Sequence, residues 1–194
     1  MKNSDNIKTG TRTNINENGY YVEASSDAAS DLRELFLSGL KDIYWAENAL
    51  LKALPKMAAN SSSGSLTAAI KEHILVTENQ VTRLERVFDF LNEKAEGKKC
   101  DAMAGLIKEG ENILAETEAG PVRDAGIIGA SQKIEHYEIA SYGMLYAFAV
   151  TLGENDIAKL LRQTLSEEKE ADMILSDTAY NSINFDACVG NIVF

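Results

Sequence analysis

The sequence predicts an all-α protein: four long helices gathered into a bundle, with one additional short helix between bundle helices two and three. Three observations carry this expectation. From Ser30 onward apolar residues recur at helical spacing. Across that region proline is confined to Pro55 and Pro121, as long uninterrupted helices require. Four turn clusters, "NSSSGS" at Asn60–Ser65, "EGKK" around Gly97, "EAGP" at Glu118–Pro121 and "LGEN" at Leu152–Asn155, divide the region into five segments.

The elements follow in order. Residues 1–28 are rich in Asn, Thr, Gly and Ser without a sustained period, which predicts a flexible N-terminal tail in which "YYVEAS" could pair as a short strand. The helical segments are expected at 30–59, 65–94, 101–117, 122–151 and 154–182. Pro55 inside the first predicts a kink, because its missing N–H removes a backbone bond. Pro121 stands in the first turn of the fourth, where that N–H would be unpaired anyway. The expected organisation is a tail over 1–28, a helical bundle over 29–184 and an apolar C-terminal tail over 185–194. In that last segment Phe185, Val189, Ile192, Val193 and Phe194 are apolar enough to dock on the bundle or at a subunit interface.

Composition removes several functional classes. With 194 residues and 45% apolar side chains, one well-buried domain is expected. A net charge of −11 and no cluster of Lys and Arg argue against nucleic acid as a partner. Two cysteines, Cys100 and Cys188, have no CxxC spacing and make no disulfide framework. The N-terminal stretch shows no apolar h-region, and no uninterrupted apolar run reaches the roughly 18 residues of a membrane span. A cytoplasmic protein with no membrane partner is expected.

At 100° per residue, each long helix has an apolar stripe interrupted by polar groups. Phe36, Leu40, Ile43, Leu50 and Leu54 share theirs with Glu47. Leu66, Ile70, Leu84 and Val87 share theirs with His73, Thr77 and Gln80. Ile127, Ile128, Leu145 and Ala149 run with Glu135, Glu138 and Tyr142, and Leu161, Leu165 and Leu175 with Glu168 and Asp172. If consecutive long helices are antiparallel, these polar residues lie roughly 11 to 19 positions from their turns, hence at one height. Ionised carboxylates gathered in a dry core must take up protons or find cations. Oxygen ligands with an imidazole suit iron, manganese or zinc, and two such ions can share carboxylates between helices.

The stretches "AENALLKALPKMA", "CDAMAGLIKEG", "VRDAGIIGASQKIEHYEIASYG" and "LSEEKEAD" resemble the YciE/YciF family of ferritin-like stress proteins. The resemblance implies a ferritin-like bundle, a homodimer, a dinuclear metal centre and ferroxidase activity with dioxygen or peroxide. The wider superfamily pattern has a lone Glu on the first and third bundle helices and Glu-x-x-His on the second and fourth. Glu47 and His73 match, and Glu138 or Glu135 supplies the third element and Glu168 the fourth. Ile70 and Ala171 stand where the pattern has a second Glu and a second His. The expected ligands are therefore Glu47, His73, Glu135, Glu138 and Glu168, holding two metal ions, iron first and manganese or zinc as alternatives.

Asp172, Thr77, Gln80, Tyr142 and Tyr44 are expected around these ligands. Thr77 has a plainer reading as a hydroxyl bonded to its own helix, and packing accounts for Tyr44. His136 projects about 100° from Glu135 and reads as a packing or surface residue. Glu72, Glu78, Glu167 and Glu170 read as a solvated face, and Cys100 carries no signal of reactivity. A di-iron oxidoreductase is the first functional expectation. A structural or interaction protein with a polar core and a manganese peroxide dismutase are the alternatives.

Overall fold

The structure, a computed structural model, describes residues 22, 24–26 and 28–189. Five principal helices follow one another: α1 Leu32–Asn60, α2 Gly64–Phe90, α3 Asp101–Glu116, α4 Pro121–Thr151 and α5 Asn155–Thr178. The chain continues through a π-helical turn, Ala179–Ile183, into a short α6, Asn184–Val189. Among the described residues there is no strand. Of "YYVEAS", Val22, Ala24 and Ser25 take none, and Tyr20, Tyr21 and Glu23 lie outside the described residues.

Local chemistry sets the helix ends. Asp31 caps α1 by accepting the Glu34 N–H at 2.9 Å, and Ser63 caps α2 by accepting that of Leu66 at 3.4 Å. α1 runs through Pro55 to Asn60 as one helix. α2 stops at Phe90, short of the expected 94, because Asn92 turns left-handed at φ 54°. The Glu93 and Asn92 N–H groups then satisfy the carbonyls of Phe88 and Asp89. Gly153, φ 77°, closes α4 in the same way, with the Glu154 N–H on the Ala149 carbonyl. The fifth segment is not a single helix to residue 182: its regular hydrogen bonding ends at Thr178. Phe185 is 71% exposed on α6, so it does not dock on the bundle of its own chain, and Ile192, Val193 and Phe194 lie outside the described residues.

α1 packs along α2 and α4 along α5, while α2 meets α5 and α1 meets α4; α3 lies against α1 and α4. Every apolar stripe residue named above is buried except Leu165, which is half-buried. α3 can lie close to α4 because Gly126 has no side chain: a Cβ there would meet Ile113 Cγ2 at 2.5 Å. No helix among the described residues is long and apolar enough to cross a membrane.

The α1–α2 turn is tied to the start of α4 by one carboxylate. Asp124, 2% exposed, accepts from the Ser62 N–H at 2.8 Å, the Ser62 hydroxyl at 2.6 Å and the Ser63 N–H at 2.8 Å. This clamp places the two ends at one level, and with them everything further down each helix. Asp124→Ala removes all three bonds and leaves three donors, two N–H groups and a hydroxyl, without this acceptor. Urea unfolding is expected to show a loss of about 2–4 kcal/mol; a change under about 0.5 kcal/mol would show that the clamp contributes nothing.

Candidate metal centre

Polar interruptions of α2, α4 and α5 converge, in a group that does not include Glu47 of α1. One ligand atom from each of His73, Glu135, Glu138 and Glu168 lies within 4.8 Å of the others. The three carboxylates are no more than 2% exposed, and the His73 side chain is 12% exposed. His73 Nε2 stands 3.5 Å from Glu135 Oε1. Glu135 and Glu138 reach the same point because residues three apart share a helix face. Glu47 of α1 is fully buried beside this group, and the Tyr142 hydroxyl donates to its Oε1.

The oxygens are conspicuously unpartnered. Glu47 Oε2, Glu135 Oε2, Glu138 Oε1 and Glu168 Oε2 are buried without a hydrogen bond, and so is Gln80 Oε1. A buried oxygen left unpaired costs about 1–3 kcal/mol, and more when charged. Burial and the neighbouring carboxylates push Glu47 and Glu138 well above the usual carboxylate range. Burial and Glu135 do the same to Glu168, and burial raises Glu135 to about 8. Burial also lowers His73 to about 4, so its imidazole is neutral with a lone pair to offer at pH 7. Unpaired oxygens beside a neutral imidazole are the donors a divalent cation takes, so this group can hold a metal ion.

The surrounding residues divide. Gln80 donates to Glu168 and, at 3.3 Å, to Glu167, so it and Tyr142 touch the carboxylates as expected. Thr77 donates to the His73 carbonyl at 2.9 Å, the plainer of its two readings. Tyr44 does not border the layer: its hydroxyl donates to Glu85 at 3.1 Å and its ring meets Phe88 edge-on at 5.6 Å. Asp172 accepts from Gln132 at 3.4 Å and pairs with His136 at 3.3 Å, and its charge still bears on Glu135. His136 is exposed, as its position on α4 implies. Cys100 caps α3 and contacts the Tyr137 hydroxyl at 3.0 Å; burial raises its thiol.

Arg83 was not anticipated. It is 9% exposed and grips Glu167 through two bonds of 2.7 and 2.9 Å, with a third of 2.6 Å to Thr164. Glu167 is consequently held between Arg83 and Gln80 and is not part of a free solvated face; Glu72, Glu78 and Glu170 are exposed. The signal was present in the spacing, since Arg83 follows Gln80 by three residues and so falls on the same stripe.

A protein family described as a domain of unknown function, DUF892, matches residues 31–187. The YciF protein of Escherichia coli K12 is 44% identical over 154 residues, which make up 79% of this chain and 93% of YciF. The crystal structure of the E. coli stress protein YciF matches with a TM-score of 0.77 at 43% identity, covering 80% of this chain and 99% of that one. YcfI of Rhodopseudomonas palustris, described as a candidate structural protein, matches with a TM-score of 0.77 at 40% identity over 79% and 98% of the two chains. A protein of Xanthomonas campestris at 22% identity shares the fold, with a TM-score of 0.66 over 83% of this chain and 99% of that one. The family resemblance borne by the α1, α3, α4 and α5 motifs thus extends over most of the sequence, and the chain belongs to the DUF892 family, with YciF among its relatives.

Proposed function

We propose that α1, α2, α4 and α5 form a ferritin-like four-helix bundle around a dinuclear metal centre, in a cytoplasmic homodimer that oxidises Fe(II) with dioxygen or peroxide under stress. The observation that carries this reading is the set of buried, unpartnered carboxylate oxygens beside a neutral imidazole. Charge supports the number of ions. Glu47, Glu135, Glu138 and Glu168 carry four negative charges when ionised, and two divalent cations cancel them where one leaves two charges buried.

Bound ferrous ions would supply the electrons for reducing dioxygen or peroxide. The chain's own part is positional. Tyr142 holds Glu47 and Gln80 holds Glu168, while Arg83 fixes Glu167 beside them. Packed apolar layers on either side keep bulk water from the carboxylates. A structural or interaction role is the second reading. Glu135 and Glu168 lie close enough to share a proton, which relieves part of the charge without any ion, and the relative YcfI is described as a candidate structural protein.

Elemental analysis of protein purified without chelators or a metal-affinity tag separates the readings. About two iron or manganese ions per chain are expected, lost in Glu138→Ala. No stoichiometric metal after anaerobic Fe(II) loading would overturn the dinuclear reading. Oxygen released from peroxide without net iron oxidation would assign a manganese dismutase instead.

Metal-free protein should also show a diagnostic pH dependence. Glu135 is raised from 4.5 to about 8, so the fold keeps a proton that the unfolded chain gives up. That contribution is complete below about 4.5 and is lost as pH rises toward 8. His73 is lowered from 6.5 to about 4, and its contribution is lost in the opposite direction, as pH falls below 6.5. Between pH 6.5 and 8 the carboxyls alone govern. One proton over that interval corresponds to about 2 kcal/mol, a fall in Tm of roughly 4–8 °C. Metal-loaded protein should lack this fall and should release protons on loading at pH 7. A Tm of metal-free protein that is flat or rising from pH 6.5 to 8 would refute the buried-proton account.

A further inference from the structure

A cleft of about 510 Å³ runs from the surface to the polar layer between α2, α4 and α5, with Leu54 of α1 on its inner wall. Ile70, Val76, Ala171, Ile174 and Leu175 make its sides apolar, and its polar floor is His73, Glu135 and Ser131. Glu72, Glu167 and Glu170 stand around it, and no lysine or arginine lines it. The volume falls in the range of small-molecule pockets, about 300–1,000 Å³.

Two of the lining residues explain why the cleft reaches so deep. Ile70 precedes His73 by three residues and Ala171 follows Glu168 by three, so each lies one turn from a member of the cluster. These are the positions where the pattern in the sequence analysis has a Glu and a His. With an isoleucine and an alanine there, the side of the cluster facing α2 and α5 is apolar and open. At its end Glu135, 2% exposed, has Oε2 without a hydrogen-bond partner.

We infer that this cleft binds an uncharged, mostly apolar organic molecule with an O–H head group, an alcohol or an alkyl hydroperoxide. The tail lies against Ile70, Val76, Ile174 and Leu175, and the head donates to Glu135 beside His73. Exclusively acidic charge around the cleft selects against an anionic head, and a cationic head held by Glu72, Glu167 and Glu170 would have to be desolvated to follow the apolar walls inward. The inference deepens the proposed function, resting on that reading for the meaning of the ligand as an organic peroxide substrate; binding itself requires no metal.

The test is calorimetric titration of full-length, metal-free protein with 1-octanol and 1-octyl hydroperoxide, each compared with octanoate and octylamine. Saturable binding of an O–H ligand is expected, at least about tenfold tighter than either charged analogue. Ala171→Phe and Ala69→Phe, filling the cleft from α5 and α2, should each weaken it at least about tenfold while keeping the wild-type Tm. Either variant that retains its Tm decides the point if the other misfolds. Absence of saturable binding, equal or tighter binding of octanoate or octylamine, or unchanged affinity in a folded variant would overturn the inference. Its failure is distinguishable from that of the metal reading: two ions per chain with no octanol binding sink the cleft alone, and octanol binding with no metal sinks the metal centre alone.

Discussion

Four carboxyl groups buried in one layer cannot all be charged and alone. Burial by itself moves each toward its neutral form, and the charge of at least one other member raises each further. Everything around them can be understood as a response to that constraint. The imidazole that meets them is neutral, the phenol and amide that touch them are donors, and the one buried guanidinium stops at Glu167 instead of pairing with the cluster. A guanidinium placed directly on the four would neutralise one of them permanently and occupy the oxygens. Held one step back, Arg83 orients the neighbourhood and leaves the inner oxygens free.

The fold contributes by making the layer meet and by isolating it. Helices of about 30 residues extend roughly 45 Å, so the layer lies far from either end and small errors in register would separate its members. The turns fix that register. Asp124 sets α4 against the α1–α2 turn, and the left-handed Gly153 reverses the chain within a few residues, so that α5 returns beside α4. Above and below, buried apolar residues such as Phe36, Phe88, Ile127 and Leu145 close the layer off. That burial offsets the cost of polar groups at the centre.

What was legible in the sequence was what periodicity encodes. The five segments, their stripes and the meeting of His73, Glu135, Glu138 and Glu168 follow from 3.6 residues per turn and from turn residues. What was not legible depended on side-chain direction and on partners far away in the chain. The Tyr44 hydroxyl goes to Glu85, and Asp172 bonds Gln132 and pairs with His136 while its charge bears on Glu135. Arg83 was invisible as long as charged residues on helices were taken for surface. The end of α2 was missed because Asn92 fills a left-handed position more often held by glycine. Likewise Asp124 reads locally as a first-turn acid, and its bonds to a turn 62 residues earlier have no sequence signature.

The donor set also bears on which ion such a site would prefer. One imidazole, His73, meets three carboxylates, Glu135, Glu138 and Glu168, in the group that can hold an ion, a donor set richer in oxygen than one with two histidines. Carboxylate donors suit manganese and other hard ions, whereas imidazole suits zinc, copper, iron and nickel, so a carboxylate in place of a histidine moves the balance toward manganese. Four negative charges in a low-dielectric layer moreover favour a higher positive charge on whatever ions they surround. Ala171 and Glu135 therefore act together: the small side chain of one leaves room for the cleft between α2 and α5, and the carboxylate of the other stands in its lining beside His73.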